Sequence, residues 1–101
     1  MLEIKHHEQG SKGEFFIGEQ DQHLAEMTYS WAGQDKFIID HTWVDNGLRG
    51  QAVGRQLVDY AVIYAREKGV KILPLCPFAK SVFDKDESLH DVLFQSSDSN
   101  K

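Results

Sequence analysis

The stretch Arg49-Gly50-Gln51-Ala52-Val53-Gly54-Arg55 has the residue types and spacing to grip an anion. Small residues at Gly50, Ala52 and Gly54 let a ligand approach the main chain closely. If a helix begins inside the stretch, its first amides have no intrahelical acceptors and point outward. With the positive end of the helix dipole they form an anion site, to which Arg49 or Arg55 can add a charge-assisted hydrogen bond. The same pattern also describes an ordinary loop running into a helix. A second position of interest is Cys76, followed by Pro77-Phe78. A helix starting near Pro77 lowers the Cys76 pKa and favours the thiolate, although a free cysteine also serves as an inert small hydrophobe. His41 titrates near neutral pH and is the best candidate base; the alternative is a satisfied histidine on a sheet face. His6, His7, His23 and His90 have no ligand spacing with Cys76, so no metal site is expected. Trp31 and Trp43 fill the core or line a substrate side.

These groups need elements to position them. Leu2 to Glu8 alternates with the period of a half-buried strand, and Gly10-Ser11-Lys12-Gly13 is a turn. Further strands are expected over Glu14 to Glu19, His23 to Trp31 and Lys36 to Val44, with a polar connection at Gln20-Asp21-Gln22 and a hairpin turn at Gly33-Gln34-Asp35. The first 45 residues thus read as a four-strand antiparallel meander. After Gly50 the period changes. Val53, Leu57, Ala61 and Ala65, with Val58 and Val62 beside them, make the apolar stripe of a long helix. It ends at Gly69, after Arg66 and Lys68 in its last turn. Val70 to Leu75 is a fifth strand, returned by the helix for a parallel pairing. Pro74 lies within it and marks a place where pairing to the neighbouring strand is broken. A short helix over Phe78 to Lys85 follows, then a last strand or irregular cover over Ser88 to Phe94. The fold class is α+β. One domain over residues 1–94 is expected, with 95–101 a disordered tail because it lacks any apolar residue.

Composition narrows the partners. The 101 residues suit one domain. The formal net charge of −5, from 16 acidic and 11 basic side chains, argues against a nucleic-acid binder, which needs a broad basic face. An anionic ligand is still admitted through a local site, and an acidic surface suits a cationic amine. The single cysteine makes no internal disulfide. The charged start Met1-Leu2-Glu3-Ile4-Lys5-His6 has no apolar signal region, and no run approaches the ~20 apolar residues of a membrane span. A cytoplasmic protein with no membrane partner is the expectation.

Val44-x-x-x-Leu48-Arg49-Gly50-Gln51-Ala52-Val53-Gly54, set between the fourth strand and the long helix, resembles the acetyl-CoA signature of the GNAT N-acetyltransferase superfamily. The chain length, His41-Thr42 and Leu73-Pro74-Leu75-Cys76-Pro77-Phe78 resemble its minimal, roughly hundred-residue branch. The likeness runs from about residue 2 to residue 94. It implies a mixed, mostly antiparallel sheet splayed between its fourth and fifth strands, with the pantetheine arm of acetyl-CoA in the gap. It maps pyrophosphate contacts onto the amides of Gln51, Ala52, Val53, Gly54 and Arg55, beside Arg49 and Gly50. Contacts to the arm fall on Thr42 and Val44, and Phe78 and Lys80 join the cofactor-binding set. Cys76 and His41 fall near the reactive end as proton donor, nucleophile or base. The implied function is acetyl transfer to an unidentified small amine or lysine side chain, by a monomer or weak dimer. The alternative is a module that holds acetyl-CoA or CoA with little transfer. Two departures from the family pattern stand out. Ala52 replaces the usual first glycine, and its methyl fits if φ stays negative. The tyrosine that many members carry after the fifth strand is absent; Phe83-Asp84 is the nearest equivalent.

Overall fold

Alternating side chains and a single change of period build a five-stranded sheet in the order β1-β2-β3-β4-β5. The structure is a computed structural model and describes residues 3–48 and 50–94. Arg49 and the tail expected over 95–101 lie outside the described residues. β1 (Lys5–Gln9), β2 (Lys12–Glu19), β3 (Gln22–Trp31) and β4 (Lys36–Val44) form the antiparallel meander. α1 (Val53–Lys68) returns the chain so that β5 (Lys71–Pro74) pairs with β4 in parallel. α2 (Pro77–Lys85) and a 3-10 segment (Glu87–Val92) close the chain. The last strand considered over Ser88 to Phe94 is therefore not formed, apart from one bridge between Leu93 and Ile72. Asp86 accepts from the Ser88 amide and hydroxyl, an N-cap that commits the segment to helical turns.

α1 lays Val53, Leu57, Val58, Ala61, Val62 and Ala65 on one face of the sheet, against Phe15, Ile17, Ala25, Met27, Tyr29, Phe37 and Ile39. Full burial of each large apolar side chain contributes about 1.5–3 kcal/mol. Gly69, at φ 70, ends the helix by donating to Ala65 and Arg66 carbonyls, the left-handed stop expected from the sequence. Ala79, Val82, Phe83, Leu89 and Val92 extend the core below β5.

Glu8 pins the edge of this core. Its Oε1 accepts from the Tyr29 hydroxyl (2.6 Å), the Tyr64 hydroxyl (2.9 Å) and the Trp31 indole (3.1 Å). The only Tyr29 proton is thereby used, so His6 Nε2, 2.5 Å from the same oxygen, is the donor in that contact. The hydrogen bond from Tyr29, with those from Trp31 and Tyr64, outweighs burial and holds the Glu8 carboxyl below its usual pKa. Gly13 belongs to the same arrangement: a Cβ there would lie 2.3 Å from the Tyr29 ring.

Two bulges interrupt the alternation. Ile17 pairs with Ala25 and Gly18 with His23, which leaves Leu24 unmatched. Thr28 pairs with His41 and Tyr29 with Ile39, which leaves Asp40 unmatched. Each extra residue turns the following side chains to the other face. Before the second bulge Phe37 and Ile39 face the core; after it Thr42 and Val44 take that side, and His41 and Trp43 turn away. Trp43 is consequently 40% exposed, on neither a core nor a cleft position. Trp31 packs against the core as expected.

Candidate active site

The pairing of β4 with β5 ends at Ile39 and Pro74. The amides of Leu75 and Cys76 both converge on the Ile39 carbonyl, at 3.2 and 3.1 Å, and β4 runs on to Val44 paired with β3. Pro74 removes a donor where the ladder lapses. The two strands therefore splay, and a cleft of about 440 Å³ opens beside the start of α1. Its walls are Thr42, Val44, Leu48, Gly50, Ala52, Val53, Gly54, Arg55 and Phe78. All but Leu48 are positions singled out from the sequence; Gln51 and Lys80 do not line it.

The floor of the cleft is the N-terminus of α1. The helical ladder begins with the Gln56 amide donating to the Ala52 carbonyl at 3.1 Å, and no side chain caps the end. Among the described residues, the amides of Ala52, Val53, Gly54 and Arg55 have no acceptor. Four such amides together at the positive end of a 16-residue helix are free to receive an anion. Gln51 is turned out of the set, its amide 3.4 Å from the Leu48 carbonyl.

Ala52 corrects an expectation. Its φ is 57 and ψ 32, the left-handed region, and it is the one non-glycine residue there among the described residues. The methyl group is accommodated at positive φ, not negative, and carries the steric cost of that region, about 1–2 kcal/mol. Gly54 has an ordinary helical backbone, but a Cβ on it would lie 2.6 Å from Cζ of Phe78. The glycine thus lets the Phe78 ring sit over the helix start. Sequence reasoning gave both positions only the task of admitting a ligand.

The charged side chains nearest the cradle are engaged. Arg55 Nε donates to Asp59 at 2.8 Å and its Nη2 to Asp86 at 2.6 Å. What Arg55 offers to the cleft is its amide, while its guanidinium ties the first turn of α1 to the end of α2. Hydrogen bonds from Ser88 and then Arg55 pull the Asp86 carboxyl down to about 2. Lys80 Nζ is 3.2 Å from Asp84 Oδ2, one turn along α2, and both are exposed.

Cys76 is the N-cap residue of α2 and is 6% exposed; it does not line the cleft, but its partner Thr42 does. Its Sγ donates to Thr42 Oγ1 at 3.4 Å, joining the residue after β5 to the part of β4 beyond the β5 pairing. Burial pushes the thiol up, but the Thr42 hydroxyl and the amides of Ala79, Phe78 and Thr42 outweigh it. The net position is below that of an ordinary cysteine. No side-chain hydrogen bond caps the helix, so the α2 amides act on sulfur through the field of the helix end.

His41 is not brought to this pair. It is exposed, on the face of β4 opposite Thr42, because the Asp40 bulge shifts the register. The residue beside Cys76 is Thr42, which the sequence reading gave only a contact to the pantetheine arm. The bulge carries no local sequence signal, so strict alternation could not have found the exchange.

The sheet is splayed at β4/β5, and the start of α1 faces the gap. Residues 14–92 match the model of the GCN5-related N-acetyl-transferase family. The chain belongs to that family and is by membership an acyl-transfer enzyme. It is similar to a GCN5-like protein of Staphylococcus aureus of known solution structure, with 40% identity over 92% of this chain and 88% of that one, at TM-score 0.73. It shares the fold, at 14% identity and TM-score 0.60, with a ribosomal-protein-alanine N-acetyltransferase of Brucella melitensis biovar Abortus 2308, over 74% of this chain and 62% of that one. A GNAT family acetyltransferase of Elizabethkingia anophelis, solved with acetyl-CoA bound, shares it at 15% identity and TM-score 0.54, over 63% of this chain and 42% of that one. The chain spans under half of that last protein's length. No curated protein matches the sequence.

Proposed function

We propose that the protein is an acetyl-CoA-dependent N-acetyltransferase whose acceptor is a small amine or a lysine side chain. The observation that carries this reading is the set of amides from Ala52 to Arg55 that have no acceptor among the described residues, at the floor of a cleft bounded by the splayed strand β4. A diphosphate matches such a cradle in charge and size. In this reading those amides hold the diphosphate and the β4 main chain at Thr42 and Val44 holds the pantetheine arm. Phe78 covers it, and Arg49 adds a cation. Acetyl-CoA, when bound, supplies an acetyl group activated as a thioester. The chain's own contribution at the reactive end is the Cys76–Thr42 pair. A thiol of lowered pKa, hydrogen-bonded to a hydroxyl, can hold or release a proton at Sγ, or serve as a nucleophile.

A second reading has one specific observation in its favour. Tyr29 and Tyr64 are both hydrogen-bonded to Glu8 on the core side of the sheet, and no tyrosine follows β5. The phenol that many GNAT members use as an acid therefore has no counterpart, which suits a module that holds acetyl-CoA with little transfer. Thiol release with acetyl-CoA across polyamines and lysine peptides separates the two. Turnover abolished by Cys76→Ala supports the enzyme, and binding without turnover on any amine supports the holder. A chain whose melting temperature is unmoved by millimolar acetyl-CoA excludes both.

A further inference from the structure

The sheet face opposite α1 carries a separate cluster of side chains able to bind a metal. The bulge at Leu24 turns His23 onto this face. There its ring stacks on Phe16, with centroids 4.2 Å apart and planes within 14°. Phe16 is 3% exposed. His23 Nδ1 lies 2.9 Å from Glu26 Oε1 and 4.0 Å from Glu14 Oε1. One donor atom from each of Glu14, His23 and Glu26 lies within 4.8 Å of the other two.

We propose that Glu14, His23 and Glu26 bind a divalent transition cation of the zinc class. The donor chemistry selects it: one imidazole nitrogen with two carboxylates suits zinc and its neighbours, whereas calcium and magnesium prefer oxygen alone. Tetrahedral ligands at about 2.0–2.2 Å from zinc lie roughly 3.3 Å from one another. The separations of 2.9 and 4.0 Å straddle that value, so rotation of two glutamate ends closes the set. The ligands are held from behind, as metal ligands usually are. Phe16 fixes the His23 ring plane, and Gln20 Nε2 donates to Glu14 Oε2 at 3.2 Å. His7 Nδ1, 3.7 Å from Glu14 Oε2, is the nearest further donor.

The charge balance of the cluster points to a cation. Among the described residues, neither carboxylate pairs with a lysine or arginine; imidazoles are their only basic partners. Both carboxylates are mostly buried, at 22% and 28% side-chain exposure, so their charge is incompletely screened. An ion here ties β2 to β3 and, through His7, to β1. Neither the 14, 23, 26 spacing nor the bulge is a recognisable motif, so the cluster is not legible in the sequence.

Zinc chloride titrated into the metal-free full chain tests the proposal, followed by thermal unfolding and by calorimetry. The expected result is a rise in melting temperature that saturates at micromolar zinc, with a single ion per chain. A Glu14→Gln/Glu26→Gln variant is expected to bind about tenfold more weakly or worse, with Glu14→Gln alone as the milder check if the double variant folds poorly. No rise up to millimolar zinc overturns the proposal. So does an unchanged titration in the variants, which would move binding to other histidines.

Discussion

Replacing Gly54 by Ala separates what this residue does for the fold from what it does for the cleft. The added Cβ would meet Phe78 at 2.6, 2.9 and 3.4 Å, against ordinary carbon contacts of about 3.5–4.0 Å, so the ring must move by roughly 1 Å or more. Phe78 is 41% exposed and can swing outward. The cost is then bounded by its lost packing, about 1–2 kcal/mol. Against that, alanine in place of glycine in a helix gains up to about 1 kcal/mol. The net change in stability is expected within about 1 kcal/mol of wild type, a shift of roughly 4–8 °C or less. Binding behaves differently. The methyl enters the cleft and the outward-swung ring no longer covers it, and acetyl-CoA affinity is expected to fall about tenfold or more, some 1.4 kcal/mol. Thermal unfolding and calorimetric titration of wild type, Gly54→Ala, Phe78→Ala and the double variant form a cycle. With Phe78 removed the methyl meets no ring, and Gly54→Ala should stabilise that background. If it destabilises Phe78→Ala as much as wild type, or if acetyl-CoA binds Gly54→Ala unchanged, the reasoning is refuted.

Other consequences are as direct. Thr42→Val removes the strongest support of the Cys76 thiolate; the pH midpoint of Cys76 alkylation should lie below that of a free cysteine in wild type and move up in the variant. Glu8→Ala leaves the Tyr29 and Tyr64 hydroxyls and the Trp31 indole without their acceptor, and should cost about 1–2 kcal/mol at neutral pH, read by urea unfolding. Because the folded Glu8 pKa is depressed, its contribution is complete above the ordinary glutamate range and is lost as pH falls through the folded value. Glu8→Gln should therefore flatten the acid limb of the stability curve. Ala52→Gly relieves a left-handed alanine, about 1–2 kcal/mol, but gives back about 0.4–1 kcal/mol of unfolded-state entropy. A small rise in melting temperature with unimpaired acetyl-CoA binding is expected.

The parts of the molecule legible in the sequence are those fixed by local order. The stripe from Val53 to Ala65 and the stop at Gly69 define α1 because helical contacts lie three and four residues apart. β4 was bounded at Lys36 and Val44 because β-branched and aromatic residues fill it between a turn and a loop. The cleft floor was legible for the same reason: its amides are consecutive. What escaped depends on single inserted residues and on distant partners. The unmatched Asp40 exchanged His41 for Thr42 beside Cys76, and the unmatched Leu24 carried His23 onto the open face. Nothing in either segment marks the insertion, since the bulge exists only relative to the neighbouring strand. The pairing of Gly54 with Phe78 joins residues 24 positions apart and becomes visible only once α2 is docked. The left-handed turn at Ala52 was hidden by residue type, because alanine rarely adopts it.

The most direct measurement is amide chemical shifts of the isotopically labelled chain during titration with CoA. The account predicts that the Val53, Gly54 and Arg55 amides move most among the backbone groups, saturating together as they take up the diphosphate. CoA binding that leaves these three amides unshifted, while resonances elsewhere respond, would contradict it.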